Sequence, residues 1–284
     1  MGNLDLDHLR TWLGKSRTDE DVILARHAGL MAATVDYPAP ERIRDGAPLP
    51  SLWHWIYFLE ALPQRELGRD GHPARGGFLP PVPLSNRMWA GGRVFFAGSI
   101  PIGSVVRKES SILKIDHKRG RSGDLVFVTV LHELKSLHGE LLVREEHDIV
   151  YREPTPPDKR SGAPANDTPV AQFTRTYTPT STMLFRYSAL TFNGHRIHYD
   201  VDYCRNVEGY DNLVIHGPLN ATMLANYAEA VTGRRLRQFS YRGLAPAILG
   251  ATLTLHAVVD SERAALWLTL PDGVVSMRAE ATVE

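Results

Sequence analysis

The sequence predicts an α+β protein made from one unit used twice, and three observations predict it. In each half a helical stretch precedes a run of four strand-like segments. The stretch from Glu153 to Asp167, rich in Pro with Ser, Gly and Asn, has the composition of a linker between them. Phe96-Ala-Gly-Ser-Ile-Pro-Ile-Gly103 in the first half is echoed by Tyr241-Arg-Gly-Leu-Ala-Pro-Ala-Ile-Leu-Gly250 in the second, each between the first and second strand of its set. A sheet of this kind needs one face covered, and the helix of each half is the natural cover. A helix wrapped by a curled antiparallel sheet, twice over, is a double hot dog. The expected division is residues 1–152, a linker at 153–168, and residues 169–284.

In chain order, Leu4 to Trp12 reads as a short helix. Thr18 to Ala33 reads as a longer one, because Thr18-Asp-Glu-Asp21 offers a capping hydroxyl and acids at its start. Tyr37 to Pro50 is an extended loop. Leu52-Trp-His-Trp-Ile-Tyr-Phe-Leu-Glu-Ala-Leu62 is apolar nearly all round and reads as a buried helix stopped by Pro63. Gln64 to Ser85, with its Gly, Pro and Arg, is a loop. Strands follow at Arg93–Phe96, Ser104–Asp116, Leu125–Leu134 and Leu141–Tyr151, with turns at Lys118–Gly123 and Ser136–Gly139. In the second half an extended approach reaches His216-Gly-Pro-Leu219, and a helix from Asn220 to Val231 closes at Gly233. Strands at Leu236–Arg242, Ala251–Val259, Ala264–Leu270 and Val275–Val283 complete the unit, with a tight turn at Pro271-Asp-Gly273.

Lys+Arg and Asp+Glu balance at 32 each in the 284 residues, which argues against a nucleic-acid or anionic-membrane surface as the main partner. The one cysteine, Cys204, rules out an intrachain disulfide and fits a reducing compartment. As a side chain it reads better as a small buried group than as a nucleophile. The acidic start Met1-Gly-Asn-Leu-Asp-Leu-Asp has neither a secretory nor a transit-peptide pattern, and the Leu52–Leu62 run is too short to span a bilayer. The expected location is the cytoplasm.

The chemistry concentrates in Tyr187 to Asp200 and in His216-Gly217-Pro218-Leu219. His195, His198, Asp200 and Asp202 are metal-type donors, but no helical His-Glu-x-x-His spacing organises them, and no metal is expected. Ser188 beside a histidine is conceivable as a nucleophile, although the Gly-x-Ser-x-Gly elbow is missing. A solvated histidine loop is the plain alternative. Gly217 and Pro218 suit the first turn of a helix, where free N–H groups and the positive end of the dipole stabilise a developing oxyanion. A histidine such as His198 moves protons near neutral pH. Together these suit reversible hydration of an α,β-unsaturated thioester.

Phe185 to Asp200, Glu208-Gly-Tyr210 and Leu213-Val-Ile-His-Gly-Pro-Leu219 resemble the MaoC-type (R)-hydratase family. They are closest to its branch of type 2 3-hydroxyacyl-thioester dehydratases and mesaconyl-C4-CoA or itaconyl-CoA hydratases. Arg87-Met-Trp-Ala-Gly-Gly-Arg93, Gly123 to Val130 and Glu145-Glu-His-Asp-Ile-Val-Tyr151 resemble that branch's N-terminal FAS1-like dehydratase domain. The resemblance implies that His198 is the catalytic histidine and that the Gly217 amide holds the thioester oxygen. Asn193 falls where the family has an aspartate. An asparagine orients water or substrate but takes no proton, so either His198 makes both proton transfers or another group helps. His195 and His216 are further candidates at the substrate. Arg186, Arg196 and Arg242 are candidates for a substrate carboxylate or a CoA phosphate. Trp53, Trp55 and Trp89 either line the acyl space or fill the core.

The implied reaction adds water to a short dicarboxylic enoyl-CoA, itaconyl-CoA or mesaconyl-C4-CoA, giving citramalyl-CoA. CoA is part of the substrate, and no separate cofactor is expected. A dehydratase of fatty acid metabolism, a thioesterase and a non-catalytic acyl-CoA-binding hot dog are the alternatives. Exposed sheet edges favour a homodimer.

Overall fold

The computed structural model describes residues 4–120, 123–153 and 168–284. A short helix α1, Leu6–Arg10, is followed by strand β1, Ser16–Val22, and helix α2, Ala25–Thr34. A 3₁₀ turn at Trp53–Ile56 and a long irregular segment lead into β2, Asn86–Phe96. Strands β3, Val105–Gly120, β4, Gly123–Ser136, and β5, Leu141–Arg152, complete the first half. The second half has β6, Phe173–Tyr177, α3, Ser181–Leu190, a 3₁₀ turn at Arg196–His198, α4, Val201–Tyr203, and α5, Gly217–Thr232. It ends with β7, Leu236–Gly243, β8, Leu253–Asp260, β9, Arg263–Thr269, and β10, Val275–Val283.

All ten strands form one antiparallel sheet in the order β1-β3-β4-β5-β2-β7-β10-β9-β8-β6. Read outward from the β2–β7 seam, each half repeats the order of the other. The seam pairs Gly91 with Arg242 through Phe95 with Gln238. The echoed stretches of the sequence occupy equivalent places. Pro101 bridges Pro48 before the Trp53–Ile56 turn, and Ile248 bridges Val214 before α5. Flanking bonds match as well, Leu49 N–H to Ile100 O and Ile215 N–H to Ala247 O, both 2.8 Å.

Helix α5 begins with Pro in its first turn and ends on Gly233 at φ 66°, the left-handed stop that glycine adopts without strain. Leu219 and Leu224 are fully buried in the core shared with Phe239, Leu255, Leu266 and Leu268. Burying each such leucine contributes roughly 1.5–3 kcal/mol. A second, smaller core lies beneath α1, where Leu9, Val82 and Leu84 cover Ile112, Val126, Val128 and Tyr151.

Three sequence expectations are corrected. Thr18 to Ala33 is not one helix. Residues through Val22 form edge strand β1 on β3, with Glu20 opposite Arg107 and ion-paired to it at 2.8 Å, so the acids read as a helix start are cross-strand partners. The Leu52–Leu62 run holds only the turn Trp53–Ile56, bounded by Leu52 at φ 67° and Phe58 at φ 57°. It is apolar all round because Leu52, Trp53 and Ile56 plug the core directly. The approach to His216 is largely helical; α3 is capped by Thr180, whose hydroxyl accepts the Met183 N–H at 3.1 Å. The expected linker falls mostly on 154–167, outside the described residues, as do 121 and 122 of the expected Lys118–Gly123 turn.

Candidate active site

His198 ends the 3₁₀ turn that follows α3. Asn193 sets that turn: its Oδ1 accepts the His195 backbone N–H at 3.0 Å. His198 Nδ1 lies 2.7 Å from the Val214 carbonyl oxygen. A carbonyl only accepts, so Nδ1 carries the hydrogen and Nε2 presents its lone pair. The ring stacks on His216 at 3.6 Å and 18°. His216 is wholly buried and its Nε2 is 2.8 Å from Ser188 Oγ. Burial drives the His198 pKa down to about 4, against the opposing Val214 hydrogen bond, and the charge of nearby His72 adds to the fall. At neutral pH His198 is therefore an uncharged base in a fixed orientation.

His216 is also the N-cap of α5, so the ring beneath His198 precedes the helix start directly. The first bond closing the helix is Asn220 N–H to His216 O, 3.1 Å. Pro218 has no N–H, and among the described residues the Gly217 amide has no hydrogen-bond partner. A side chain at Gly217 has no room: its Cβ would lie 2.7 Å from Trp89 Cε3. Trp89, from β2, stacks on Tyr241 of β7 at 4.5 Å, and Trp55 meets both edge-on at 5.9 and 5.7 Å. This aromatic wall crosses the seam and faces the helix start. Trp53 is fully buried core instead.

The site also receives residues that the sequence reading missed. Asp70 and His72 stand on the irregular segment before β2. Asp70 Oδ2 is 3.1 Å from His72 Nδ1, and its Oδ1 accepts the His72 backbone N–H at 3.1 Å. The His72 ring lies 4.1 Å from His195, which lies 5.4 Å from His198. Burial lowers the His195 pKa to about 2, with the His72 and His198 charges adding. Burial also lowers His72, although the Asp70 hydrogen bond opposes it. Asp70 is held well below the usual carboxylate range because its bonds to His72 outweigh burial. The only sequence signal for this pair was the residue types themselves, inside a stretch whose Gly and Pro content said loop.

Other predicted residues are placed differently. Arg196 pairs with Asp200 at 2.7 Å and lies over the Tyr203 ring at 4.3 Å, so its cation is already engaged. Asp200 also caps α4 by accepting the Tyr203 N–H at 2.9 Å. Arg186 is exposed and reaches the Ala33 carbonyl of α2 at 3.5 Å. Arg242 is exposed on β7 beside buried Tyr241, and neighbouring strand residues face opposite sides of a sheet, so it points away from the aromatic wall. His216 serves as cap and stacking partner rather than a contact open to substrate. Ser188 has its histidine, but His216 Nδ1 has no partner to orient it as a base. Cys204 is buried, its Sγ 3.2 Å from the Ile197 carbonyl, and burial raises its pKa. Asp70, His72 and His195 place one donor atom each within 4.8 Å of one another. These donor types suit zinc or iron, yet Asp70 and His72 already hold each other by a hydrogen bond.

The family model for hydroxyacyl-thioester dehydratase type 2 matches residues 52–249. The chain belongs to this family. It is 45% identical, over 274 residues and 96% of each chain, to the mesaconyl-C4-CoA hydratase of Chloroflexus aurantiacus. Among solved structures, a MaoC-like dehydratase aligns at a TM-score of 0.73 and 14% identity, over 97% of this chain and 99% of that one. A Mycobacterium tuberculosis protein described as a double hot dog aligns at 0.55 and 12%, over 95% and 98%. The fold is a double hot dog. Among the described residues no helix is long and apolar enough to cross a membrane.

Proposed function

We propose that the chain is an acyl-CoA hydro-lyase that adds water reversibly to mesaconyl-C4-CoA, giving citramalyl-CoA. The observation that carries this is the neutral His198, with Nε2 free, stacked on the residue that opens α5 at Gly217. The Gly217 amide holds the thioester oxygen and draws electrons from the double bond. His198 Nε2 takes a proton from water as the water oxygen bonds to the β-carbon. The electron pair collects on the enolate, which takes that proton at the α-carbon. The identity to the Chloroflexus hydratase supports the C5 acid.

The family match supports a second reading, dehydration of a 3-hydroxyacyl thioester of fatty acid metabolism by the same groups run in reverse. Spectrophotometric assays with mesaconyl-C4-CoA, itaconyl-CoA, crotonyl-CoA and a longer enoyl-CoA, side by side, separate the two. The expected order places mesaconyl-C4-CoA first and the long chain last. Preference for the long chain would favour the second reading, and hydration of none of them would refute both. Thiol release during the assay would mark a thioesterase instead. The proposal extends to a homodimer, testable by light scattering, since β1 and β6 leave both sheet edges free to pair. The buried free thiol of Cys204 accords with action in the cytoplasm.

A further inference from the structure

Hydration needs the attacking water held as well as deprotonated. His198 Nε2 accepts one hydrogen of that water, and the second calls for another acceptor. Asn193 Oδ1 already accepts the His195 N–H at 3.0 Å, which fixes the turn. Asp200 is committed to Arg196 and to the Tyr203 N–H.

We propose that His72, delivered from the first half and fixed by Asp70, is the second acceptor for the attacking water. Both Asp70 oxygens bind His72, one at the ring Nδ1 and one at the backbone N–H, each at 3.1 Å. A carboxylate accepts, so the ring hydrogen sits on Nδ1 and Nε2 is left as an acceptor. This repeats in the first half what the Val214 carbonyl does for His198 in the second. The segment is also pinned where it must be. Arg196 N–H donates to Asp70 O at 2.9 Å, two residues before His198. Gly71 packs so tightly on Gly194 that a Cβ there would lie 1.9 Å from the Gly194 oxygen. The His195 ring links the two histidines, 4.1 Å from His72 and 5.4 Å from His198.

In the step that follows, the water places one hydrogen on each Nε2. His198 removes its proton as oxygen bonds to the β-carbon, and that proton returns to the α-carbon. His72 keeps its hydrogen bond to the new hydroxyl and ends the cycle neutral. Atoms balance without a metal or any other reactant. His72 is thereby a catalytic residue and Asp70 a positioning residue.

The proposal rests on the hydratase reading, and one experiment distinguishes their failures. The full chain, His72→Ala, Asp70→Asn and the double variant are assayed on the enoyl thioester that the wild type hydrates best, with thermal melts alongside. An inactive wild type refutes the reading itself. With an active wild type, His72→Ala is expected to lower kcat at least tenfold, about 1.4 kcal/mol in barrier, with KM within about twofold. Asp70→Asn is expected to lower kcat less, and to add nothing once His72 is alanine, because it acts only through that ring. Asp70→Glu should recover part of the loss. A His72→Ala kcat within twofold of wild type overturns the proposal, as does an Asp70→Asn loss undiminished in the His72→Ala background. If His72→Ala melts early, Asp70→Asn with its Glu rescue decides alone. Activity abolished by a chelator and restored by zinc would overturn the proposal in favour of a metal held by Asp70, His72 and His195.

Discussion

The two halves reach their helix starts by the same route and do opposite things there. In the second half the bridge at Val214 is followed by Ile215, His216 and Gly217, and α5 runs straight on into the sheet. In the first half the bridge at Pro48 is followed by Leu49, Pro50 and Ser51. Where Gly217 leaves its amide open, Ser51 turns its hydroxyl onto Glu229 of α5 at 2.7 Å. Leu52 then takes a left-handed conformation, and the turn ends at Ile56. The first half has only that turn here, and the segment after it carries Asp70 and His72 across to His195. One half leaves an amide open at its helix start, and the other brings Asp70 and His72 up beside it.

That comparison breaks most severely at His198. His198→Ala is expected to lower kcat by roughly 10²–10⁴-fold with little change in folding; enoyl-CoA hydration rates check it, and a loss under tenfold would remove His198 from the reaction. Making the second half like the first, Gly217→Ser, drives a side chain into Trp89. The amide shifts, and kcat falls on the order of 10²-fold, the scale of one lost oxyanion donor. Adding Trp89→Ala makes room and should return part of that loss, which a steady-state comparison of the single and double variants would show.

A gentler probe is pH. His198 must be neutral to take a proton, and burial sets its pKa at about 4 rather than 6.5. Activity should hold as pH falls through 6.5 and decline only toward about 4, read from kcat/KM on the acid side. An acid limb at 6.5 would mean that the imidazole is hydrated rather than enclosed. The smallest change is the converse swap, Ser51→Ala. It removes a hydrogen bond to the half-buried Glu229 and should cost about 1–2 kcal/mol in denaturant unfolding while leaving kcat unaltered.

What the sequence disclosed follows from how local each signal was. Strands β7 to β10 and α5 were legible because alternation, the Gly-Pro start and the Gly233 stop are all written within the elements. Strand β1 was not, since its acids are explained by partners such as Arg107 opposite Glu20 and the Phe58 N–H on Asp21, which the local sequence does not show. The Trp53 run was misread because burial on every side looks the same in a core plug as in a core helix. His198 and Gly217 were proposed through their motif, whereas Asp70 and His72 carry no motif. Their meaning lies in contacts with Gly194 to Arg196, far along the chain. The arginines differ again: each has a guanidinium suited to anions, and only the structure shows Arg196 engaged with Asp200 and Arg242 turned outward.

The contact of Gly71 with Gly194 has a consequence in time. During synthesis the first half emerges with Gly71 undocked, because the glycine it packs on has not yet been made. That contact joins the two halves across a long stretch of chain, as the β2–β7 seam does, and distant contacts form late. The local pairings within each half, β3–β4–β5 and β8–β9–β10, can stand while the enzyme is still inert, so on refolding, recovered activity should trail the first strand signal.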